Sequence, residues 1–134
     1  MSKIEDIEGI GPAYAEKLGN AGIKTIEGLL KEGAEKSGRK SIAEKSGISD
    51  TLILNWVNKA DLCRINGVST QYADLLEEAG VDTVPELAQR NAANLTEKMK
   101  EVNDAKNLVR KVPSLSDVEK WVNQAKDLPR AVNY

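Results

Sequence analysis

The 134-residue sequence contains no histidine, no phenylalanine and a single cysteine, and aromatic residues make up only 4% of it. Without histidine, Ser-His-Asp and Cys-His nucleophilic systems are excluded, as are the usual His-containing metal sites. The lone thiol, Cys63, forms neither an internal disulfide nor a Cys-rich zinc site, which fits a reducing compartment. No apolar run approaches the roughly 18–20 residues that a membrane span requires. The opening Met1-Ser2-Lys3-Ile4-Glu5-Asp6 lacks the apolar stretch of a signal peptide. Charge of one sign is lacking too: 19 Lys+Arg face 21 Asp+Glu, and a formal charge of −2 gives no global pull toward nucleic acid or anionic membrane. No two acidic residues are spaced as a general acid and base. The expectation is a cytoplasmic, non-catalytic protein with no metal, cofactor, membrane partner or small-molecule substrate. Its length fits one compact domain or two small lobes sharing a core.

What is present is an internal repeat. Ile7-Glu8-Gly9-Ile10-Gly11-Pro12-Ala13-Tyr14 recurs as Ile65-Asn66-Gly67-Val68-Ser69-Thr70-Gln71-Tyr72. Ala21-Gly22-Ile23-Lys24-Thr25-Ile26 recurs in the same register as Ala79-Gly80-Val81-Asp82-Thr83-Val84. A second pair closes each half, Trp56-Val57-Asn58-Lys59-Ala60 and Trp121-Val122-Asn123-Gln124-Ala125. This pattern predicts a duplication with lobes at residues 1–62 and 63–134.

The local signals are helical. Ser or Thr precedes Glu by three residues at Ser2/Glu5, Ser41/Glu44, Thr83/Glu86 and Ser116/Glu119, the spacing of a capping box. Gly22 and Gly80 fall where a helix end wants a residue tolerant of positive φ. Apolar residues recur at helical spacing over 50–62, 104–112 and 116–128, with Pro113 and Pro129 as stops. No stretch alternates with period two, so the expected class is all-α. Residues 33–40 read as a flexible loop, a helix is expected near 95–102, and the Trp56 helix is expected to run on toward Ile65.

The spacing of Ile4, Ile7, Gly9, Ile10, Gly11, Ala15 and Leu18 resembles the helix-hairpin-helix motif. The glycines let the chain turn sharply, Ile10 plugs the core, and Pro12 opens the next helix. The amides of Gly11, Ala13 and Tyr14 would then face outward at a positive helix end, where one anion could sit. The whole chain resembles a tandem helix-hairpin-helix family catalogued as domain of unknown function 4332, through residues 7–12, 56–62, 79–87 and the Trp121 region. The resemblance implies two pseudo-symmetric, SAM-domain-like repeats packed into one compact domain. It also implies sequence-independent contact with a DNA backbone, or a protein-interaction role. By position, Gly9, Ile10 and Gly11 match the contacting turn, and Gly67, Val68 and Ser69 match its second copy, a degraded one, because Ser69 replaces the second glycine. Tyr14 and Tyr72 read as packing residues with a polar tip, and Trp56 and Trp121 as core anchors.

The residues expected to supply charge to a DNA or RNA backbone are Lys36, Arg39, Lys40, Arg110 and Lys111. No basic residue follows the first turn before Lys17, and Glu5, Asp6 and Glu8 precede it. That departure keeps a second expectation open, an adaptor whose acidic turn faces meet a basic protein.

Overall fold

A computed structural model describes residues 3–134. Among them, eight α-helices follow a one-turn 3-10 helix at Ile4–Asp6: α1 Pro12–Asn20, α2 Ile26–Gly33, α3 Lys36–Ser46, α4 Asp50–Leu62, α5 Thr70–Glu78, α6 Val84–Ala88, α7 Ala92–Lys106 and α8 Leu115–Asp127. The described residues contain no strand beyond an isolated bridge between Lys3 and Thr25. The chain forms two compact units. One runs up to Asp61 and includes Ala131–Tyr134, and the other is Leu62–Arg130.

In the first unit, α1 is started by Gly11 and Pro12 and stopped by Gly22 at φ 88°. The Ile23 amide reaches back to the Leu18 carbonyl at 2.8 Å, which closes a Schellman-type end and turns Ile23 into the core. Thr25 then caps α2 by accepting from the Gly28 amide at 2.9 Å. Ile4, Ile7, Ile10, Leu18, Leu29, Ile53 and Trp56 are among the residues that form the core, and Val132 from the chain's last residues joins them.

Residues 33–40 are not the loop their composition indicates, because α3 begins at Lys36. Gly33 and Gly38 are close-packing residues here. A Cβ on Gly33 would collide with Val57, and one on Gly38 with the Glu32 carbonyl. Arg39 ties this corner together: it is 6% exposed and donates to the carbonyls of Gly33, Ala34 and Asn133 at 2.8, 3.1 and 2.8 Å.

The second unit repeats the helix ending at Gly80, where φ is 97° and the Val81 amide reaches the Leu76 carbonyl at 2.9 Å. Its core gathers Leu62, Ile65, Leu75, Leu76, Leu87, Leu95, Met99 and Trp121, with α6 and α7 packed on α8. The helix expected near 95–102 is α7. The one expected over 104–112 instead ends at Lys106, where Asn107 turns left-handed at φ 51°. The buried Asn103 side chain holds the chain that follows, accepting from the Val109 amide at 2.9 Å and donating to its carbonyl at 3.0 Å. The Trp56 helix ends at Leu62, short of Ile65.

The capping boxes also differ. Ser41 lies inside α3, and Thr83 precedes α6 without a side-chain cap bond. The Ser2/Glu5 pattern falls partly outside the described residues. Among the described residues, a capping box forms at Ser114/Asp117 at the start of α8, two residues before Ser116/Glu119. Hydrogen bonds from Ser114 hold the Asp117 carboxyl below its ordinary range.

Candidate functional site

The two glycine corners are built by closely matched contacts. Gly9 has φ 93° and Gly67 has φ 94°, a region that favours glycine, so the chain can reverse there without strain. The following Ile10 and Val68 are buried, and their amides bond to the carbonyls of Ile7 and Ile65 at 3.1 Å in each case. Behind each glycine lies a tryptophan indole: a Cβ on Gly9 would sit 3.5 Å from Trp56 Nε1, and one on Gly67 3.1 Å from Trp121 Nε1. Tyr14 packs edge-on against Trp56 at 5.2 Å and 62°, and Tyr72 tilts on Trp121 at 5.4 Å and 53°. Both tryptophans are buried, so they anchor the cores as expected.

A further clamp lies three residues beyond each tryptophan. Lys59 Nζ donates to the Glu8 carbonyl at 3.3 Å, and Gln124 Nε2 donates to the Asn66 carbonyl at 3.3 Å. Gln124 also accepts from the Asn66 amide at 3.0 Å. The sequence held a usable signal for this pair, a long polar residue in the same place of the two similar Trp segments. It reads there as surface because helical spacing alone does not reveal that a corner passes beside it.

The corners differ where α1 and α5 begin. Gly11 adopts φ −84° and ψ −178°, an extended conformation open to any residue. A Cβ there would meet nothing within 4 Å. Glycine at 11 is therefore required neither by backbone strain nor by internal crowding. Ser69 has nearly the same conformation, φ −80° and ψ 174°, and its hydroxyl accepts from the Tyr72 amide at 3.3 Å. The serine does not degrade the turn; it caps the helix. At Gly11 no side chain does so, and Pro12 has no N–H, which leaves the amides of Ala13 and Tyr14 at the open end of α1.

Charge is distributed unevenly. Around the first corner Glu5, Asp6 and Glu8 are exposed, while Lys17 sits over the Tyr14 ring at 5.8 Å and Lys59 is only 7% exposed. Lys36 and Lys40 are exposed on α3, but Arg39 between them is committed to carbonyls and is corrected from a solvent-facing charge to a structural tie. In the second unit Arg110 and Lys111 are exposed, and the Lys111 carbonyl accepts from the Tyr72 hydroxyl at 2.9 Å, which brings this segment to α5. Lys106 pairs with Glu78. The described residues hold no helix long and apolar enough to cross a membrane.

No solved structure matches the chain. A family match extends over residues 8–128, covering both corners and both tryptophan helices, and by it the chain belongs to the family described as Domain of unknown function (DUF4332).

Proposed function

We propose that this chain is a non-catalytic binding module made of two helix-hairpin-helix repeats, and that its first corner holds a phosphate of a nucleic-acid backbone. The observation that carries the reading is Gly11. Its backbone is ordinary and its missing side chain leaves empty space, so glycine there serves what approaches from outside. A phosphate oxygen would accept from the amides of Ala13 and Tyr14, aided by the positive end of α1. Lys17 supplies positive charge near it, and Arg110 and Lys111 supply charge beside the second corner. Contact through main-chain donors carries no base information, so binding is independent of sequence.

Fluorescence anisotropy with labelled duplex and single-stranded DNA tests this. Binding is expected at low salt and should fall steeply as salt rises. Gly11→Glu should weaken it while leaving the helical circular-dichroism signal intact. A second reading has its own support. Exposed Glu5, Asp6 and Glu8 surround the first corner, while the charges of Arg39 and Lys59 are turned inward. That arrangement suits an adaptor for a basic protein. No DNA binding at low salt, together with a nuclease-resistant partner in a pull-down, would favour it.

A further inference from the structure

A second site lies in the first unit, away from the glycine corner. A cleft of about 360 Å³ opens between α3, α4 and the chain's last residue, within the size range of small-molecule sites, roughly 300–1,000 Å³. We propose that this cleft binds a nucleoside monophosphate unit, with the base on Tyr134 and the phosphate on Lys36 and Lys40.

Three features make the assignment. Tyr134 is 62% exposed yet its ring is held in place: its hydroxyl donates to Asn58 Oδ1 at 3.0 Å, and the Arg39 guanidinium stands over the ring, 6.0 Å from its centre. An aromatic face fixed by its rim and open to solvent is a platform on which a base can stack. Lys36 and Lys40 are one helical turn apart on α3, on the same face, and neither forms an ion pair with a described residue. Arg39 donates three of its five N–H groups to carbonyls, which fixes its guanidinium where it adds positive potential to the cleft.

The third feature selects among anions. Asp50 and Thr51 also line the cleft, from the first turn of α4. A carboxylate repels a bare phosphate but accepts from a ribose hydroxyl or a base amino group, and the threonine hydroxyl can donate or accept beside it. Leu54 provides an apolar floor. An aryl phosphate without hydroxyl or amino donors would leave Asp50 unpaired, whereas a nucleotide offers all three partners. The bound unit could be a free nucleotide or one nucleotide of a strand, and the two share this chemistry.

Isothermal titration of the full chain with adenosine monophosphate tests the assignment. A dissociation constant between about 10 µM and 1 mM is expected for a ligand of this size. Lys36→Ala and Lys40→Ala should each weaken binding by about tenfold, the loss of one charge-assisted contact. Tyr134→Leu should weaken binding of the nucleotide but not of inorganic phosphate. Gly11→Glu should leave nucleotide affinity unchanged, which separates this site from the corner. A short oligoadenylate run in parallel tells the sources apart: equal affinity assigns a strand, and binding of the mononucleotide alone assigns a free nucleotide. The proposal is overturned if neither binds at millimolar concentration, if adenosine binds as tightly as its monophosphate, or if Lys36→Ala and Lys40→Ala leave affinity unchanged.

Discussion

The corners at Gly9 and Gly67 share a positive-φ glycine, a buried plug, an indole behind the turn, a tyrosine on the indole, and a polar clamp on the carbonyl before the glycine. Two of the differences between them bear on hydrogen bonding and charge: Gly11 against Ser69 and Lys59 against Gln124. The shared features set the bend. The differences fall on the side from which a ligand would come and on the charge beneath it. The comparison teaches that the frame is fixed by packing, while the chemistry of each corner is decided by whether its helix caps itself.

The most damaging change should be Arg39→Met, which strikes the first unit alone. It would leave the buried Gly33 carbonyl and the part-buried Asn133 carbonyl without their donor, while the Ala34 carbonyl keeps only the Asn133 amide. A loss above about 2 kcal/mol is expected in urea unfolding, with faster hydrogen exchange at Asn133. If exchange accelerates equally across Leu62–Arg130, the tie is not local to the first unit.

Replacing the corner glycines comes next. Gly9→Ala and Gly67→Ala each force a side chain into a positive-φ position, for about 1–3 kcal/mol. Gly67→Ala should cost more, because its Cβ would sit at 3.1 Å from the indole rather than 3.5 Å. Thermal melts of the two variants give the order, and a reversed order would mean that the indoles do not back the turns as described.

A smaller but sharper effect is expected from exchanging the caps. Gly11→Ser should raise stability by a few tenths of a kcal/mol, about the difference between glycine and serine at an N-cap. It should also reduce DNA affinity, since the new hydroxyl takes up the Tyr14 amide. Ser69→Gly should do the opposite in stability. If Gly11→Ser leaves affinity as it was, the open amides of α1 are not the contact.

The smallest effect concerns acid. Each tryptophan helix is preceded by a serine whose hydroxyl accepts an amide, Ser49 from Leu52 at 3.3 Å and Ser114 from Asp117 at 3.1 Å, but only the latter helix has an acid to complete the box. Because folding lowers the Asp117 pKa, its contribution is full above the ordinary carboxylate range and is lost as pH falls through the lowered value. Melts of Asp117→Asn and the parent between neutral and acid pH should therefore converge at the acid end. A constant gap at all pH values would show that the carboxylate charge plays no part.

Much of this was legible in the sequence, and the failures have physical causes. The helical class, the buried tryptophans and the positive-φ glycines at 22 and 80 follow from spacing, because periodicity and a glycine-ended helix are local properties. Residues 33–40 misled because Gly33, Gly38, Lys36, Arg39 and Lys40 have the composition of a solvated loop. Nothing local says that those glycines sit against Val57 and the Glu32 carbonyl, or that Arg39 reaches Asn133, 94 residues away. Ser69 was misjudged in a similar way. A lost glycine signals a damaged turn only if the position needs positive φ, and the left-handed residue is Gly67, two positions earlier. Of the candidate site, the turn residues Gly9–Gly11 and Gly67–Ser69 were readable, whereas the clamps Lys59 and Gln124 and the cleft under Tyr134 depend on which elements meet.

The central claim is that the first corner offers a main-chain donor, the Tyr14 amide, whose counterpart at Tyr72 is already taken by the Ser69 hydroxyl. Titrating the isotope-labelled chain with a short single-stranded oligonucleotide, and following each backbone amide by NMR, tests it most directly. The amides of Gly11, Ala13 and Tyr14 should shift most, with that of Tyr72 changing little. Shifts of equal size at Tyr72, or none at Gly11, Ala13 and Tyr14 while the oligonucleotide binds, would contradict it.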